Sequence, residues 1–410
     1  MTTKNNIHAG YKDSAVGIIP KEWEVKLVKD FGKVVTGNTP STAEVSNYGD
    51  EYMFVSPADL SDDKKYILRT EKMLSSKGYA VSRKIPKGAI LYTCIGSTIG
   101  KIGIASCELT SNQQINAVIC DDNNEYLYYA LLFLTGRIKM LAGEQAVPII
   151  NKSDFERIKL AVPPMGEQRK IAEILGVWDE AIEKQSRLIE RLEVRKRALM
   201  RRLLTGRTRL PGFNTPWQKR RMKDSFEHIT DTSNGCEYLP MTISARLGLI
   251  SQKDKFDRVI AGDSLKKYTH IQKGDFAYNK GNSNLYEMGC IYRLKEQDAV
   301  VPFVYICFRP KQNVIGEFYQ HFFINHGLDR QLKRIITSGA RGDGLLNVDK
   351  IDFFELEIVY PPIAEQKAIA EVLTAADNEI ATHRKRLEAL RLQKRGLMQQ
   401  LLTGKTRVKI

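Results

Sequence analysis

The chain carries the same stretch of 47 residues twice, at a constant offset of 198 positions and without a gap. The two copies occupy residues 163–209 and 361–407, and 22 of the 47 positions are identical. This period is far longer than the roughly 20–50 residues typical of solenoid repeats. It indicates instead a duplicated half-protein, in which each copy follows its own globular segment.

The segments that precede the two copies share little sequence but follow the same order of motifs. Each opens on a tryptophan, Trp23 or Trp217, and later carries Lys-Gly-x-x-x-Tyr, which ends at Tyr92 or Tyr278. Strands are then predicted over 116–120 and 303–308, and aromatic-rich helices over 125–141 and 317–336. The predicted organisation is an N-terminal tail (1–18), a first α/β domain (19–162), a helix (163–209), a linker (210–216), a second α/β domain (217–360) and a final helix (361–410).

Both repeated segments have the hydrophobic pattern of a coiled coil. Apolar residues recur at alternating steps of four and three, and a period of about 3.5 residues favours a coiled-coil seam over an ordinary amphipathic helix. We therefore expect two long helices that pack on each other as a spacer. The predicted seam residues are Ile171, Leu175, Trp178, Ile182, Ile189, Leu192, Leu199 and Leu203 in the first copy, and Ile369, Leu373, Ala376, Ile380, Leu387, Leu390, Leu397 and Leu401 in the second.

Polar residues interrupt this pattern at the same two places in both copies. They are Gln185 and Lys196 in the first copy, and His383 and Lys394 in the second. Such residues can fix the register and the partner of a helix at some cost in stability. They can equally lie at the edge of the seam and extend into water, as lysine does readily. The sequence leaves both interpretations open.

The positive charge of the chain is concentrated in the two helices. The 410 residues include 63 Lys and Arg against 48 Asp and Glu, which gives a formal net charge of +15. Residues 184–209 hold ten Lys and Arg against two Glu, and residues 382–409 hold nine against one, so each stretch carries +8 and the remainder about −1. These stretches are either solvated helix faces or contacts to nucleic-acid backbone or an acidic partner.

No pattern in the sequence points to catalysis, metal binding or membrane insertion. The six cysteines include no Cys-x-x-Cys pair. His321 and His326 are five residues apart, the wrong spacing for one helix face, so we expect ordinary helix-surface histidines. Neither the glycine-rich segment 96–103 nor the Gly-Lys-Thr sequence at 404–406 forms a complete phosphate-binding motif. No apolar run approaches the roughly 20 residues of a membrane span, and a signal peptide is missing. We therefore expect a cytoplasmic protein that holds no metal.

Two dissimilar domains, each followed by a near-copy of one long helix, resemble the specificity subunit of type I restriction–modification systems. The resemblance covers nearly the whole chain. It rests mainly on the two Pro-Pro-x-x-Glu-Gln-[Arg/Lys]-x-Ile-Ala-Glu motifs, which begin at Pro163 and Pro361, and on the Leu-Leu-Thr-Gly-[Arg/Lys]-Thr-Arg ends of both copies. Further similar text is Gly37-Asn-Thr-Pro40, Gly96–Gly103 and Asn112-Gln-Gln-Ile-Asn116 in the first half, and Ser264–Tyr268 and Lys273–Asn279 in the second.

The resemblance implies an α+β fold in which an antiparallel pair of conserved helices holds two target-recognition domains apart. Each domain would read one half of a split site in double-stranded DNA, and the helix length would set the unread spacer. Two modification subunits would dock by pseudo-twofold symmetry and bring S-adenosylmethionine for adenine methylation. Two restriction subunits would add ATP-driven translocation and DNA cleavage, and would bind the ATP and Mg. The chain itself would be non-catalytic and would hold none of these cofactors.

One departure from exact symmetry stands out. Gly176 and Trp178 in the first helix correspond to Thr374 and Ala376 in the second, so we expect the two seam ends to pack differently.

Base readout needs side chains that donate and accept hydrogen bonds at base edges, together with backbone contacts that fix the register. Asn and Gln suit adenine, and Lys and Arg suit guanine or phosphate. The candidates are therefore the polar members of the glycine-containing loops, although any one of them could be an ordinary turn residue. They are Ser97, Thr98, Lys101, Gln113 and Gln114 in the first domain, and Asn279, Lys280, Asn282, Ser283 and Arg341 in the second.

The sequence leaves two other functions open. One is a two-headed coiled-coil adaptor that binds an acidic protein partner without reading DNA. Such a protein would not need polar, glycine-rich loops at matching places in both domains. The other is a nuclease or methyltransferase that works alone, and the absence of a catalytic motif counts against it.

Overall fold

The computed structural model describes residues 9–61, 64–121, 123–143, 147–232, 238–256, 262–281, 285–295, 297–336 and 346–409. The chain forms two compact units, and the sheets and helices of both confirm the predicted α+β class. The first unit consists of Met1–Leu188 and His383–Ile410, and the second of Ile189–Thr382. Each unit thus contains one globular domain together with one half of each long helix. No helix in the described part of the chain is long and apolar enough to cross a membrane.

Within its described residues, the first domain combines small β-sheets with three α-helices. Its strands are β1 (Tyr11–Lys12), β2 (Ile19–Pro20), β3 (Glu24–Leu27), β4 (Gly32–Thr36), β5 (Tyr48–Gly49), β6 (Tyr52–Val55), β7 (Tyr66–Ile67), β8 (Lys72–Leu74), β9 (Ile90–Thr93), β10 (Ile102–Ala105), β11 (Thr110–Ser111), β12 (Ile115–Cys120) and β13 (Lys159–Val162). Its helices are α1 (Ser76–Ala80), α2 (Asn124–Met140) and α3 (Lys152–Glu156). The main sheets have the orders β4-β12-β9-β10-β7 and β11-β6-β8-β5, while β1 pairs with β2 and β13 with β3.

Helix α2 confirms the helix predicted over 125–141. The Asn123 side chain accepts a hydrogen bond from the backbone N–H of Tyr126 and so caps its first turn. The tyrosines of α2 are buried in a core cluster that also contains Trp23 and Tyr92. Ile171 of the first repeated segment and Met398 of the second belong to the same cluster. The ends of both long helices are therefore part of the core of this domain.

The second domain repeats the architecture of the first. Its strands are β14 (Gln218–Arg221), β15 (Phe226–Ile229), β16 (Leu239–Ser244), β17 (Gly248–Ser251), β18 (Thr269–Ile271), β19 (Phe276–Asn279), β20 (Cys290–Arg293), β21 (Ala299–Val301), β22 (Ile306–Pro310) and β23 (Glu357–Tyr360). Its helices are α5 (Met222–Ser225), α6 (Gln252–Phe256), α7 (Gly316–Ile324), α8 (Asp329–Ile335) and α9 (Lys350–Glu355). The antiparallel order β15-β22-β19-β20 matches β4-β12-β9-β10 of the first domain.

The prediction of one helix over 317–336 is wrong, because a turn separates α7 from α8. His326 has a left-handed backbone with φ of 60°, and Gly327 follows it. A Cβ added at Gly327 would lie 2.5 Å from the Phe322 ring, so any other residue there would require that ring to shift. His321 also differs from its expected surface position, since it is buried on α7 at 2% exposure.

The repeated segments form α4 (Met165–Leu203) and α10 (Ile363–Leu401), each 39 residues long. In the first unit Gln185 contacts His383, and Asp179 contacts Lys394. Residue numbers thus decrease along α4 as they increase along α10. The halves therefore pair antiparallel there, and the supercoil of a coiled coil stays a prediction. The buried seam residues are Ile171, Leu175, Ile182, Ile189, Leu192, Leu203, Ile369, Leu373, Ile380, Leu387 and Leu401. The half-buried ones are Trp178, Leu199, Ala376, Leu390 and Leu397.

Candidate nucleic-acid interface

One end of the main sheet of the first domain gathers five chain segments, here called the first edge. Strands β4 and β9 end where β12 begins, because both pair antiparallel with it. The backbone N–H of Asn38 donates to Ser111 at 2.9 Å, that of Cys94 to Gln114 at 2.8 Å, and that of Gly96 to Pro148 at 2.9 Å. The segments of the first edge are 36–39, 81–84, 93–98, 111–116 and 147–150.

Four of the five candidates in the first domain lie on the first edge. Ser97 and Gln113 are exposed, and Thr98 and Gln114 are half-buried. A Cβ added at Gly96 would lie 3.9 Å from Gln114 Nε2, which places the loop after β9 beside the glutamine. The ammonium of the fifth candidate, Lys101, donates a hydrogen bond to the Pro57 carbonyl at 3.0 Å.

The matching end of the second domain, here called the second edge, contains Asn279 and Lys280, which are half-buried. The backbone N–H of Leu346 donates to the Lys280 carbonyl at 2.9 Å, just as Ile150 donates to Cys94 at 2.8 Å in the first domain. Asn279 Oδ1 accepts from the backbone N–H of Gly281 at 2.9 Å, which holds the start of the loop after β19. The other candidates, Asn282, Ser283 and Arg341, lie outside the described residues.

The sequence did not single out Arg83, which follows α1 and reaches the first edge. The Asn38 side chain bonds twice to this turn: its Oδ1 accepts from the backbone N–H of Arg83 at 2.7 Å, and its Nδ2 donates to Val81 at 3.1 Å. The Arg83 guanidinium donates to the Thr36 carbonyl at 2.6 Å. The basic pair Arg83-Lys84 was the available signal, but its position depends on contacts between segments 45 residues apart.

The polar residues that interrupt the helix pattern are partnered within each unit. In the first, Lys394 pairs with Asp179, and Gln185 Nε2 donates to the His383 carbonyl at 3.0 Å. In the second, Lys196 forms an ion pair with Asp377, which is the repeat equivalent of Asp179. The Lys394 side chain is 7% exposed, so it does not extend into water. These contacts favour the interpretation that the polar residues fix helix register.

Each of these carboxylates also contacts its domain, through a different side chain in each unit. In the first unit Tyr129 of α2 donates its hydroxyl to Asp179, and burial, followed by the negative charge of Asp179, raises the pKa of that hydroxyl. In the second, His321 Nδ1 lies 3.8 Å from Asp377, and His321 Nε2 lies 3.4 Å from Thr374 Oγ1. Burial lowers the pKa of His321 to about 4.

The departure at Gly176 and Thr374 lies beside these contacts. A Cβ added at Gly176 would lie 3.7 Å from Lys65 Nζ and 3.8 Å from the Tyr129 hydroxyl oxygen, which is ordinary van der Waals contact, so these distances do not require glycine. Thr374 contacts a histidine instead. Among the described residues no group of three or more His, Cys, Asp or Glu could hold a metal ion.

The two signature motifs of the repeat meet at a buried glutamate in each unit. In the second unit Glu365 Oε2 accepts from the Trp217 indole at 2.8 Å, and Glu365 Oε1 accepts from Arg209 Nε at 2.6 Å. The first unit repeats the cluster with Trp23, Glu167 and Arg407. Each glutamate lies in the first turn of one long helix, and the arginine that contacts it lies just after the end of the other long helix. The cluster therefore joins both helices to the tryptophan that opens the domain of that unit.

Comparison with known proteins finds similarity along the chain. The model of the family described as Type I restriction modification DNA specificity domain matches residues 20–194 and 259–392. The chain is 24% identical over 424 residues to the type I restriction enzyme MjaVIII specificity subunit of Methanocaldococcus jannaschii, covering 95% of this chain and 94% of that one. With the MjaIX specificity subunit of the same organism it is 35% identical over 194 residues, and this match spans only 44% of either chain.

Solved structures share the fold over almost the full length. The crystal structure of a type I restriction–modification system S subunit from M. genitalium has a TM-score of 0.55 at 14% identity, covering 98% of each chain. A structure from work on complex assembly and conformational transition of the type I R-M system has a TM-score of 0.58 at 13% identity, covering 95% of this chain and 99% of that one. Two unlike domains on two copies of one helix thus form a known arrangement.

Proposed function

The chain belongs to the type I restriction–modification DNA specificity family, and from this membership we propose that it is the non-catalytic subunit that selects the DNA site. Each domain reads one half of a bipartite sequence. The observation that carries the proposal is that two domains of dissimilar sequence present edges of the same sheet order, β4-β12-β9-β10 and β15-β22-β19-β20. One scaffold with divergent edges is what an asymmetric site requires, because its two halves contain different bases.

The polar side chains of the edges support base readout. Gln113 is exposed on the first edge, and Asn279 begins the loop on the second. Amide side chains pair with adenine through two hydrogen bonds in the major groove, and each such pair contributes about 1–3 kcal/mol of discrimination. Ser97 and Thr98 can donate or accept, and Lys280 suits guanine or phosphate.

The helices α4 and α10 set the unread spacer in this proposal. At about 1.5 Å per residue, a helix of 39 residues is about 60 Å long. Each unit contains an ion pair between its two helix halves, the buried Lys394–Asp179 pair in the first and the partly exposed Lys196–Asp377 pair in the second, and these pairs favour a fixed helix register. A fixed register favours a fixed gap between the two half sites.

Exposed apolar residues at repeat-equivalent positions support docking of two identical partners. Val194 on α4 is 56% exposed and Leu392 on α10 is 63% exposed, and the two lie 198 positions apart. Arg197 and Arg395, three residues further along each helix, are exposed on the same face. Each of these two surfaces, one in each unit, fits a face of a modification subunit that is both apolar and acidic. Restriction subunits complete the proposed complex, and S-adenosylmethionine, ATP and Mg are bound by these partners.

A genome-wide map of methylated adenines in the native host, with and without the gene, tests the proposal. We expect loss of one split motif, two short halves around a fixed gap, when the gene is removed. Exchange of residues 217–360 for another domain of the family should then change one half of that motif only. An unchanged map would contradict the proposal, and so would a domain exchange that alters both halves. The adaptor alternative predicts the unchanged map.

A further inference from the structure

We propose that Arg83 is a specificity-determining residue of the first domain and that its guanidinium contacts a guanine edge in the first half site. This inference rests on the proposed function and adds one named contact to it. Arg83 lies outside the glycine-containing loops that supplied the sequence candidates. It reaches the first edge from the turn that follows α1.

The backbone of Arg83 is fixed to the end of β4. Asn38 uses both groups of its side-chain amide on the turn, with Oδ1 accepting from the Arg83 N–H at 2.7 Å and Nδ2 donating to the Val81 carbonyl at 3.1 Å. The Asn38 backbone N–H in turn donates to Ser111 at 2.9 Å, at the start of the segment that leads to Gln113. The turn therefore moves with the sheet rather than as a free surface loop.

One nitrogen of the Arg83 guanidinium is hydrogen-bonded to the protein, and the other nitrogens are available to a ligand. One terminal nitrogen donates to the Thr36 carbonyl at 2.6 Å, and the residue is exposed. No ion pair within the described ranges involves Arg83. The guanidinium has five N–H donors, so the carbonyl fixes its plane without consuming its hydrogen-bonding capacity. A fixed fork suits the two acceptors of guanine, whereas neutralising a phosphate needs only charge.

The neighbouring residue provides a matched control. Lys84 is also basic and exposed, but its Nζ lies 4.9 Å from the centre of the Tyr79 ring. Its backbone is not bonded to Asn38. Lys84 therefore has the same charge in the same turn without the fixed geometry. On the other side of Asn38, Thr39 hydrogen-bonds to Gln113, which places Arg83 and an adenine-type reader on one continuous surface.

The test compares Arg83→Ala, Arg83→Lys and Lys84→Ala in the full complex with its modification subunits. Two readouts are used: the map of methylated adenines, and binding to duplexes that carry each base at each position of the first half site. We expect both Arg83 variants to accept more than one base at a single position, and discrimination there to fall about 10- to 100-fold. The second half of the motif should stay unchanged. Lys84→Ala should weaken binding to all duplexes alike and leave the motif intact.

Several results would overturn the assignment. If Arg83→Ala weakens binding to every duplex equally, as a phosphate contact would, or if it changes neither readout, Arg83 does not read a base. Rescue of full discrimination by Arg83→Lys would also contradict the guanine fork. Unchanged thermal unfolding of the variants excludes misfolding as the cause. A native chain without any split motif would instead refute the proposed function itself, and that result is visible before any variant is made.

Discussion

Replacing Lys394 by methionine should lower the free energy of unfolding of the first unit by about 3 kcal/mol. The Lys394 and Asp179 side chains are 7% and 16% exposed, so their ion pair is largely withdrawn from water. Removing one partner of a buried pair costs about 3–5 kcal/mol, because the other charge stays buried without compensation. The Tyr129 hydroxyl still donates to Asp179 after the substitution, which favours the lower end of this range.

The equivalent change in the second unit provides the control. Lys196 is 16% exposed, but its partner Asp377 is 40% exposed and can be solvated when the cation is lost. We expect Lys196→Met to cost about 1 kcal/mol, near the value for surface ion pairs. Equilibrium unfolding in urea gives the magnitudes, and hydrogen exchange of peptides from each unit assigns them.

A double-mutant cycle separates the pair from the packing of the methionine. In Asp179→Asn/Lys394→Met neither charge of this pair remains, and the new amide can accept from Tyr129. The double variant should therefore be more stable than Lys394→Met alone, with a coupling of about 2 kcal/mol. A coupling near zero, or an equal loss of stability in Lys196→Met and Lys394→Met, would contradict a dominant role for burial of the Lys394–Asp179 pair.

Three further predictions concern other parts of the molecule. The pKa of His321 is lowered from 6.5 to about 4 in the folded chain. Only the unfolded chain therefore gains this proton as the pH falls from 6.5 to 4, and the free energy of unfolding should fall over that window. His321→Gln should make the free energy of unfolding depend less steeply on pH. Glu365→Ala should speed hydrogen exchange in peptides of the second unit and leave those of the first unchanged, and equal effects on both would contradict the cluster. Leu392→Asp should leave a complex with one modification subunit instead of two, as measured by sedimentation, while an unaltered complex would exclude this face as the docking surface.

The repeat made both long helices and their polar interruptions predictable. Heptad spacing reflects local helix geometry, so burial of residues such as Ile182 and Ile380 followed from sequence. The same spacing fits parallel and antiparallel helices alike. The sequence residues alone therefore did not indicate that Glu167 would pair with Arg407, 240 positions away, rather than with the arginine of its own copy.

The edges were only partly predictable, for a different physical reason. Glycines mark loops, and the loops led to Ser97 and Gln113. Arg83 reaches the same surface through the Asn38 side chain, and no local pattern encodes such a contact. His321 was misplaced on the surface for a similar reason, since it is buried beside Thr374 of α10, a contact that local spacing does not encode.

The composition of the two units has a consequence for synthesis of the chain. All residues of the second unit lie in one continuous stretch, Ile189–Thr382, whereas the first unit also requires His383–Ile410. During translation the first domain emerges early, but Lys394, Met398 and Arg407 reach it only after the second unit has been made. The domain made first is thus completed after the second, and until then the side of α4 that packs on α10 in the first unit stays uncovered.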